Sequence, residues 1–161
     1  MLASDFNSLK YRSFNGEENW GDISKVSYNL VEALDKFQYV LGYKVYIAPE
    51  EGSVYDPNKK RALHNMGIAA HVYSNCNILY ALMVACQMNE FGGIGVYPSS
   101  FWKEKKLYGK LHLDVRTYSV KKNLWWVDSK NNIYKFDKND FSEKFIDEVY
   151  KAMFKQNRIS K

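Results

Sequence analysis

Histidine is the residue type whose number and spacing in this chain point most directly to chemistry. The 161 residues include three histidines: His64 and His71 share one segment, and His112 lies further along, two residues before Asp114. Three imidazoles and one water form the usual open coordination of a catalytic zinc ion, whereas a structural zinc ion takes a fourth protein ligand, normally cysteine. The sequence therefore predicts one zinc site with His64, His71 and His112 as ligands.

The neighbours of these histidines favour a metal site over the alternative that each one is an ordinary polar residue or a hydrogen-bonded core residue. Small residues at positions 67, 69 and 70 let the backbone pass close to a metal ion. Segment 110–116 alternates with period two, as strands do, so His112 and Asp114 leave the same face. This pattern predicts that the Asp114 carboxylate reaches the metal-bound water and acts as the general base.

The composition predicts one globular domain over residues 1–161. Hydrophobic residues make up 46% of the chain and aromatic residues 16%, which is enough to build a core. The net charge of +5 is dispersed, so it favours an anionic partner such as a cell-wall polymer rather than nucleic acid. No segment has the pattern of a membrane span or a signal peptide. We expect a monomer without a nucleic-acid or membrane partner.

The two cysteines are predicted to be free. Cys76 and Cys86 fall in one apolar segment that is interpreted as a helix, where ten residues separate them by about 15 Å. A disulfide requires Cα atoms within about 7 Å, so these two residues cannot pair. Two buried thiols are expected, which is typical of a protein made in a reducing compartment.

Hydrophobic periodicity and capping residues predict three helices. The first is capped by Asp22 or Ser24 and ends at Gly42, the second covers residues 78–89, and the third starts at Asp140. A capping box with Glu143 marks the start of the third helix. The predicted buried stripe of this helix consists of Phe145, Ile146, Val149 and Met153.

Alternating and β-branched segments predict a small sheet. The predicted strands cover residues 43–48, 68–73, 94–97, 110–116, 124–127 and 133–136. The last two are expected to form a hairpin around Asn131 and Asn132, residues 50–63 a long loop, and residues 98–100 a turn. Together these elements predict an α+β fold: a single domain with a small antiparallel sheet, helices packed on it, and the zinc site on the sheet.

Two segments around the histidines also carry motifs of a known family. The segment His64-x-x-Gly67-x-Ala69-x-His71 resembles the Ser-x-His-x-x-Gly-x-Ala-x-Asp signature of the zinc D-Ala-D-Ala carboxypeptidases and the related L-alanyl-D-glutamate endolysins. Their wider clan includes lysostaphin-type enzymes and the hedgehog signalling domain. Residues 92–98, followed by the His-x-Asp-x-Arg strand at 112–116, resemble one branch of this family. The resemblance covers residues 6–126.

The resemblance implies a ligand set but also shows departures from the family. It implies that His64 and His112 bind zinc and that His71 stands where the family normally has an Asp ligand. Ala62 replaces the Ser of the signature. Gly109 stands where many relatives have the acidic general base.

Asp114, Tyr97 and Arg116 are the predicted catalytic residues. Asp114 replaces the missing general base, as the His-x-Asp-x-Arg branch implies. Tyr97 and Arg116 are candidates for holding the tetrahedral oxyanion or a substrate carboxylate. The alternatives are a packed strand aromatic for Tyr97 and a salt bridge to Asp114 for Arg116. Relatives often hold the substrate carboxylate with an Arg in the strand after the first helix. Residues 48–52 offer none, which leaves Arg61 or Arg116.

The implied activity is zinc-dependent hydrolysis of a peptide bond in peptidoglycan stem peptides or cross-links. Trp102, Trp125 and Trp126 are candidates for lining a groove for glycan or stem peptide, and core packing is the favoured alternative for Trp125 and Trp126. A protein of this kind acts at the cell wall after lysis or as part of a virion.

Two further hypotheses stay open at the level of sequence. One is a catalytically degenerate zinc-binding module for cell-wall binding or virion structure, which the departures from the family pattern favour. The other is a zinc hydrolase that acts on some other small amide.

Overall fold

The computed structural model describes residues 3–9, 12–58, 62–117, 121–136 and 142–159. The described helices are two short 3₁₀ helices, Ala3–Ser8 and Ile23–Lys25, and the α-helices α1 (Tyr28–Leu41), α2 (Ile78–Gln87) and α3 (Glu143–Ile159). The strands are β1 (Val45–Ile47), β2 (Ala69–Ser74), β3 (Gly93–Trp102), β4 (Leu107–Asp114), β5 (Asn123–Val127) and β6 (Ile133–Lys135). None of the described helices is long and apolar enough to cross a membrane.

The six strands form one mixed sheet in the order β1-β2-β4-β3-β5-β6. The predicted α+β class is confirmed, but the prediction of a purely antiparallel sheet is wrong, because β5 runs parallel to β3. The connection between β4 and β5 explains this difference. Asp114 at the end of β4 and Asn123 at the start of β5 lie on opposite sides of Gly93, so β5 starts beside the first residue of β3 and runs in the same direction.

The hydrophobic core lies between one face of the sheet and the helices. Alternation along the two central strands places Ile94, Val96, Leu111 and Leu113 in this core with at most 2% exposure. Helices α2 and α3 contact β3 and β4, and α1 packs against α2. The opposite face of the sheet is therefore left for polar side chains.

The first helix ends where predicted but starts at a different residue. Gly42 ends α1 in the left-handed conformation, as predicted. Asp22 caps only the preceding 3₁₀ helix, where its side chain accepts a hydrogen bond from the Ser24 backbone amide. Val26 and Ser27 are extended, so α1 starts later than predicted. This break brings Ser27 beside the histidine-bearing turn described below.

Three other predictions require correction. Residues 98–100 do not form a turn, because β3 continues through Pro98 with a register shift between Tyr97 and Phe101. Proline lacks an amide donor and is accommodated at such irregularities. Cys76 precedes α2 rather than lying in it; both cysteines are free as predicted, but only Cys76 is buried and Cys86 is partly exposed. Ile146 is 54% exposed, whereas Phe145 and Val149 of the same predicted stripe are buried.

The start of the last helix is described only in part. The predicted cap Asp140 lies outside the described residues. The side chain of Ser142 accepts a hydrogen bond from the Phe145 amide, which is the contact expected of a helix N-cap. The predicted β5–β6 hairpin is confirmed, and Asn131 adopts a positive φ of 65° in its turn.

Candidate metal centre

Two of the three histidines are placed by direct pairing of adjacent strands. His71 on β2 lies opposite His112 on β4. Because side chains alternate along a strand, both histidines leave the face of the sheet opposite to that of Val72 and Leu111, which enter the core. Directly opposite residues in antiparallel strands have Cβ atoms about 4.5–5.5 Å apart. The sheet thus brings the two imidazoles together without help from a loop.

The third histidine is delivered by the turn that precedes β2. The carbonyl of His64 accepts from the Gly67 amide at 3.1 Å, and the Gly67 carbonyl accepts from the Ser27 amide at 2.8 Å. Gly67 has φ +63°, and a Cβ there would clash with the carbonyl oxygen of Lys25. Glycine is therefore required for the turn to approach the start of α1 this closely. This close approach directs the His64 side chain towards the sheet face that carries His71 and His112.

The three imidazoles meet with the spacing of ligands around a single ion. His64 Nε2 and His71 Nε2 each lie 3.3 Å from Nδ1 of His112. One potential ligand atom from each residue lies within 4.8 Å of the others. Nitrogens bound at about 2.0–2.1 Å to a tetrahedral ion are about 3.3–3.4 Å apart. Within the described part of the chain these histidines therefore form a group that can hold a metal ion.

The outer hydrogen bonds of two histidines determine which nitrogens carry lone pairs. His64 Nδ1 lies 3.1 Å from the Val54 carbonyl oxygen, which can only accept, so Nδ1 donates. His112 Nε2 lies 3.2 Å from a carboxylate oxygen of Asp114, so it also donates. In the neutral imidazoles, His64 Nε2 and His112 Nδ1 then face each other as two acceptors. A cation between them removes this repulsion, and a metal ion satisfies both.

The centre is recessed but accessible from one side. His64 and His112 are 6% and 7% exposed, whereas His71 is only partly buried. A ligand therefore approaches past His71. Imidazole nitrogens suit zinc, copper, iron and nickel, so this group of side chains can hold any of these ions.

Asp114 lies behind His112 rather than among the three facing nitrogens. Arg116 donates from Nε to Oδ1 at 2.6 Å and from Nη2 to Oδ2 at 2.5 Å, and Asp114 is fully buried. Burial alone would raise the pKa of Asp114, but the hydrogen bonds from Arg116 and His112 outweigh it and lower the pKa to about 2. The predicted general-base role is disfavoured by these contacts. They favour a carboxylate that fixes the orientation and tautomer of His112.

We expect the Asp114→Asn variant to bind metal about 10–100-fold more weakly than the wild type. Loss of an outer carboxylate that orients a ligating histidine typically has an effect of this size. Isothermal titration with zinc measures the change, and circular dichroism verifies that the variant is folded. Unchanged zinc affinity in a folded variant would exclude the orienting role and would favour Asp114 as the general base.

Gly95 and Trp125 complete the wall beside His112. Gly95 lies opposite both His112 on β4 and Trp125 on β5. A Cβ at Gly95 would lie 2.5 Å from the Trp125 ring, so the indole covers this position and its centroid is 5.0 Å from that of His112. Trp126 points the other way and is 2% exposed in the core. The predicted core packing is thus confirmed for Trp126 but is wrong for Trp125, which is partly exposed beside His112.

The next row of residues along the sheet carries further polar groups beside the cluster. Tyr97 lies opposite Lys110, and its ring centroid is 5.5 Å from that of His71. Burial raises the pKa of Tyr97, and a hydrogen bond with Trp125 opposes this rise. Lys110 lies over the Tyr97 ring at 5.3 Å and binds Glu50 at 2.9 Å. The predicted site residue Tyr97 therefore lies next to His71, beside the candidate metal centre.

The loop that carries Glu50 is attached to the backbone of His71 on both sides. The Ala48 amide donates to the His71 carbonyl at 2.9 Å, and the His71 amide donates to the Ser53 carbonyl at 2.8 Å. The Glu50 carbonyl in turn accepts from the amide and hydroxyl of Ser53. The loop that carries Glu50 therefore runs alongside His71, and 49% of the Glu50 side chain is exposed.

Of the two predicted substrate-binding arginines, Arg116 forms the alternative salt bridge, in which Nε and Nη2 bind Asp114. Arg61 lies outside the described residues. Lys110 and Glu50 were not identified from the sequence. The alternation that placed His112 on one strand face also places Lys110 there, but nothing in the sequence indicates that the loop folds Glu50 onto it.

No family model, curated protein or solved structure matches this chain in the corresponding comparisons.

Proposed function

We propose that this protein is a zinc-dependent peptidase that hydrolyses a peptide bond in peptidoglycan stem peptides or cross-links. The observation that carries the proposal is the meeting of three imidazole nitrogens, with 3.3 Å from His112 Nδ1 to each of the other two. Three imidazoles leave a coordination position for water or substrate, which is typical of catalytic zinc and not of structural zinc. The resemblance of the histidine motifs to the zinc D-Ala-D-Ala carboxypeptidases supports the choice of substrate.

In this proposal His64, His71 and His112 hold the ion, and Asp114 with Arg116 keeps His112 in the ligating tautomer. Bound zinc supplies Lewis-acid polarisation of a carbonyl and acidification of water. The chain adds groups at the open side: the Tyr97 hydroxyl and the Lys110 ammonium are suitably charged or polar to hold a developing oxyanion.

Glu50 is the carboxylate that the contacts favour as proton acceptor. Its side chain is 49% exposed and is bound by Lys110, whereas Asp114 is fully buried and bonded on both oxygens. An exposed carboxylate is open to water, as a proton acceptor in hydrolysis must be. In our proposal Glu50 therefore takes the proton from the attacking water and later passes it to the leaving amine.

A metal-binding module without catalytic activity is the second candidate. The observation that favours it is Gly109, which stands at the family's usual general-base position. Its φ is +77°, and a Cβ there would lie 2.7 Å from Ile78 in α2, so a side chain at this position is directed at the helix. The usual general base is thus excluded by packing as well as by sequence.

The experiment that separates the two candidates uses purified peptidoglycan. We expect the zinc-loaded protein to release peptide fragments that mass spectrometry detects, and the protein treated with a chelator to release none. Zinc-loaded, folded protein that leaves the polymer intact would contradict the peptidase proposal and favour the binding module.

A further inference from the structure

A second cleft lies on the same face of the sheet, beyond the Glu50–Lys110 pair. It is shallow and open to solvent, with a volume of about 660 Å³. The cleft is lined by Pro49, Glu50, Trp102, Glu104 and Lys105. Glu50 also binds Lys110, whose ammonium lies over the Tyr97 ring, and this ring packs against His71, so the cleft adjoins the metal centre on this side.

The wall of this cleft is a fixed aromatic surface. Trp102 packs against Tyr46 and Tyr73 with ring centroids 6.1 Å and 5.6 Å apart. Tyr73 and Leu107 are buried in the small apolar cluster beneath them, while Trp102 and Tyr46 remain partly exposed. An exposed aromatic ring held rigid by its neighbours offers a flat apolar surface at low cost in conformational entropy.

Charged side chains line the edge of this surface. They are two carboxylates, Glu50 and Glu104, and one ammonium group, Lys105, and Glu50 is paired with Lys110. Lys105 Nζ lies over the rings of Tyr46 and Trp102, 4.5 Å and 5.3 Å from their centroids. The cleft thus has hydrogen-bond acceptors and a donor at the edge of an apolar face.

We propose that this cleft binds a neutral saccharide ring, stacked on Trp102. A pyranose has an apolar face of C–H groups, which matches the electron-rich face of an indole, and a rim of hydroxyls, which can donate to the carboxylates and accept from Lys105. The proposal rests on the proposed function in that the sugar belongs to the same polymer as the peptide substrate.

The distance between the cleft and the metal centre determines how far the cleaved bond lies from the sugar. Trp102 lies opposite Leu107, which is five residues from His112 along β4. Five strand residues span about 16 Å, and the irregularities in this region make this an upper bound. An extended peptide of four to five residues covers the same distance. If a sugar is bound in the cleft, a peptide attached to it can therefore reach the metal centre. The bond at the metal centre is then up to four or five residues from the sugar.

The test measures binding of uncharged tetrasaccharides to the full chain without metal, by titration followed through tryptophan fluorescence and isothermal calorimetry. The probes are the β-1,4-linked tetramer of N-acetylglucosamine and the corresponding tetramer of glucose. We expect Trp102→Ala to weaken binding at least about tenfold, since a central stacked tryptophan is often a dominant contact. Phe101→Ala is the matched control, because this 40% exposed aromatic lies in the groove beside α3. We expect it to bind within about twofold of the wild type.

Each outcome decides the proposal. Absence of binding by the folded wild type, or equal weakening by Phe101→Ala and Trp102→Ala, would overturn it. Saccharide binding that requires Trp102, in a protein that does not cut peptidoglycan, would support the cleft and contradict the peptidase. Hydrolysis of peptidoglycan without saccharide binding would support the peptidase and contradict the saccharide site. The two proposals can therefore fail independently.

Discussion

Replacing His112 with alanine is expected to lower zinc affinity at least about a hundredfold. Zinc binding through four protein ligands is worth about 10–16 kcal/mol at neutral pH in small zinc domains, so one ligand contributes about 2.5–4 kcal/mol. That amount corresponds to about two to three orders of magnitude in the dissociation constant. Competition with a chromophoric chelator measures it. His112 is the largest loss expected, because its Nδ1 faces both other histidines.

His64→Ala tests the same site from the loop side. We expect a loss of similar size, because His64 Nε2 lies 3.3 Å from His112 Nδ1. Met66→Ala is the matched control, since Met66 occupies the same turn and is 57% exposed. The control is expected to bind zinc like the wild type. Full zinc affinity in either histidine variant would remove that residue from the ligand set.

The Glu50→Gln variant is expected to lower kcat by about two to four orders of magnitude on a stem-peptide substrate. General acid–base assistance is typically of this size. Zinc content is expected to stay at the wild-type level, because Glu50 contacts Lys110 and is not among the three ligands. Steady-state kinetics with zinc in excess measures the change, and metal analysis is done on the same samples.

Glu51→Gln is the control for this variant. Glu51 is the neighbouring carboxylate of the same loop and is exposed. The Glu51→Gln substitution also removes one negative charge from the loop, but it leaves the Glu50–Lys110 pair intact. We therefore expect kcat within about twofold of the wild type. A Glu50→Gln variant with unchanged kcat, next to an Asp114→Asn variant that has lost turnover at full zinc occupancy, would show that Asp114 is the base after all.

Strand periodicity was sufficient to anticipate much of the candidate centre. The alternation around His112 predicted which of its neighbours share a sheet face, and the pairing of His71 with His112 follows once β2 and β4 are adjacent. Glycine at position 67 indicated a close backbone approach, and the structure shows that approach at the start of α1. These features depend on local pattern and pleat, which a single sequence contains.

Other features depend on long-range packing that no local pattern encodes. The parallel pairing of β5 with β3 results from the direction in which the chain leaves β4. The contact of Asp114 with the outer nitrogen of His112 depends on how Arg116 folds back onto the carboxylate. Placement of Glu50 depends on hydrogen bonds between its loop and the His71 backbone. Alternation predicted that Asp114 and His112 share a face, but not which nitrogen the carboxylate meets.

X-ray absorption at the zinc edge, on protein loaded with one equivalent of zinc and dialysed, tests the central claim most directly. The account predicts about one ion per chain with three imidazole nitrogens at about 2.0–2.1 Å and one oxygen ligand. Sulfur in the first coordination shell, or no zinc retained by the folded wild type, would contradict it.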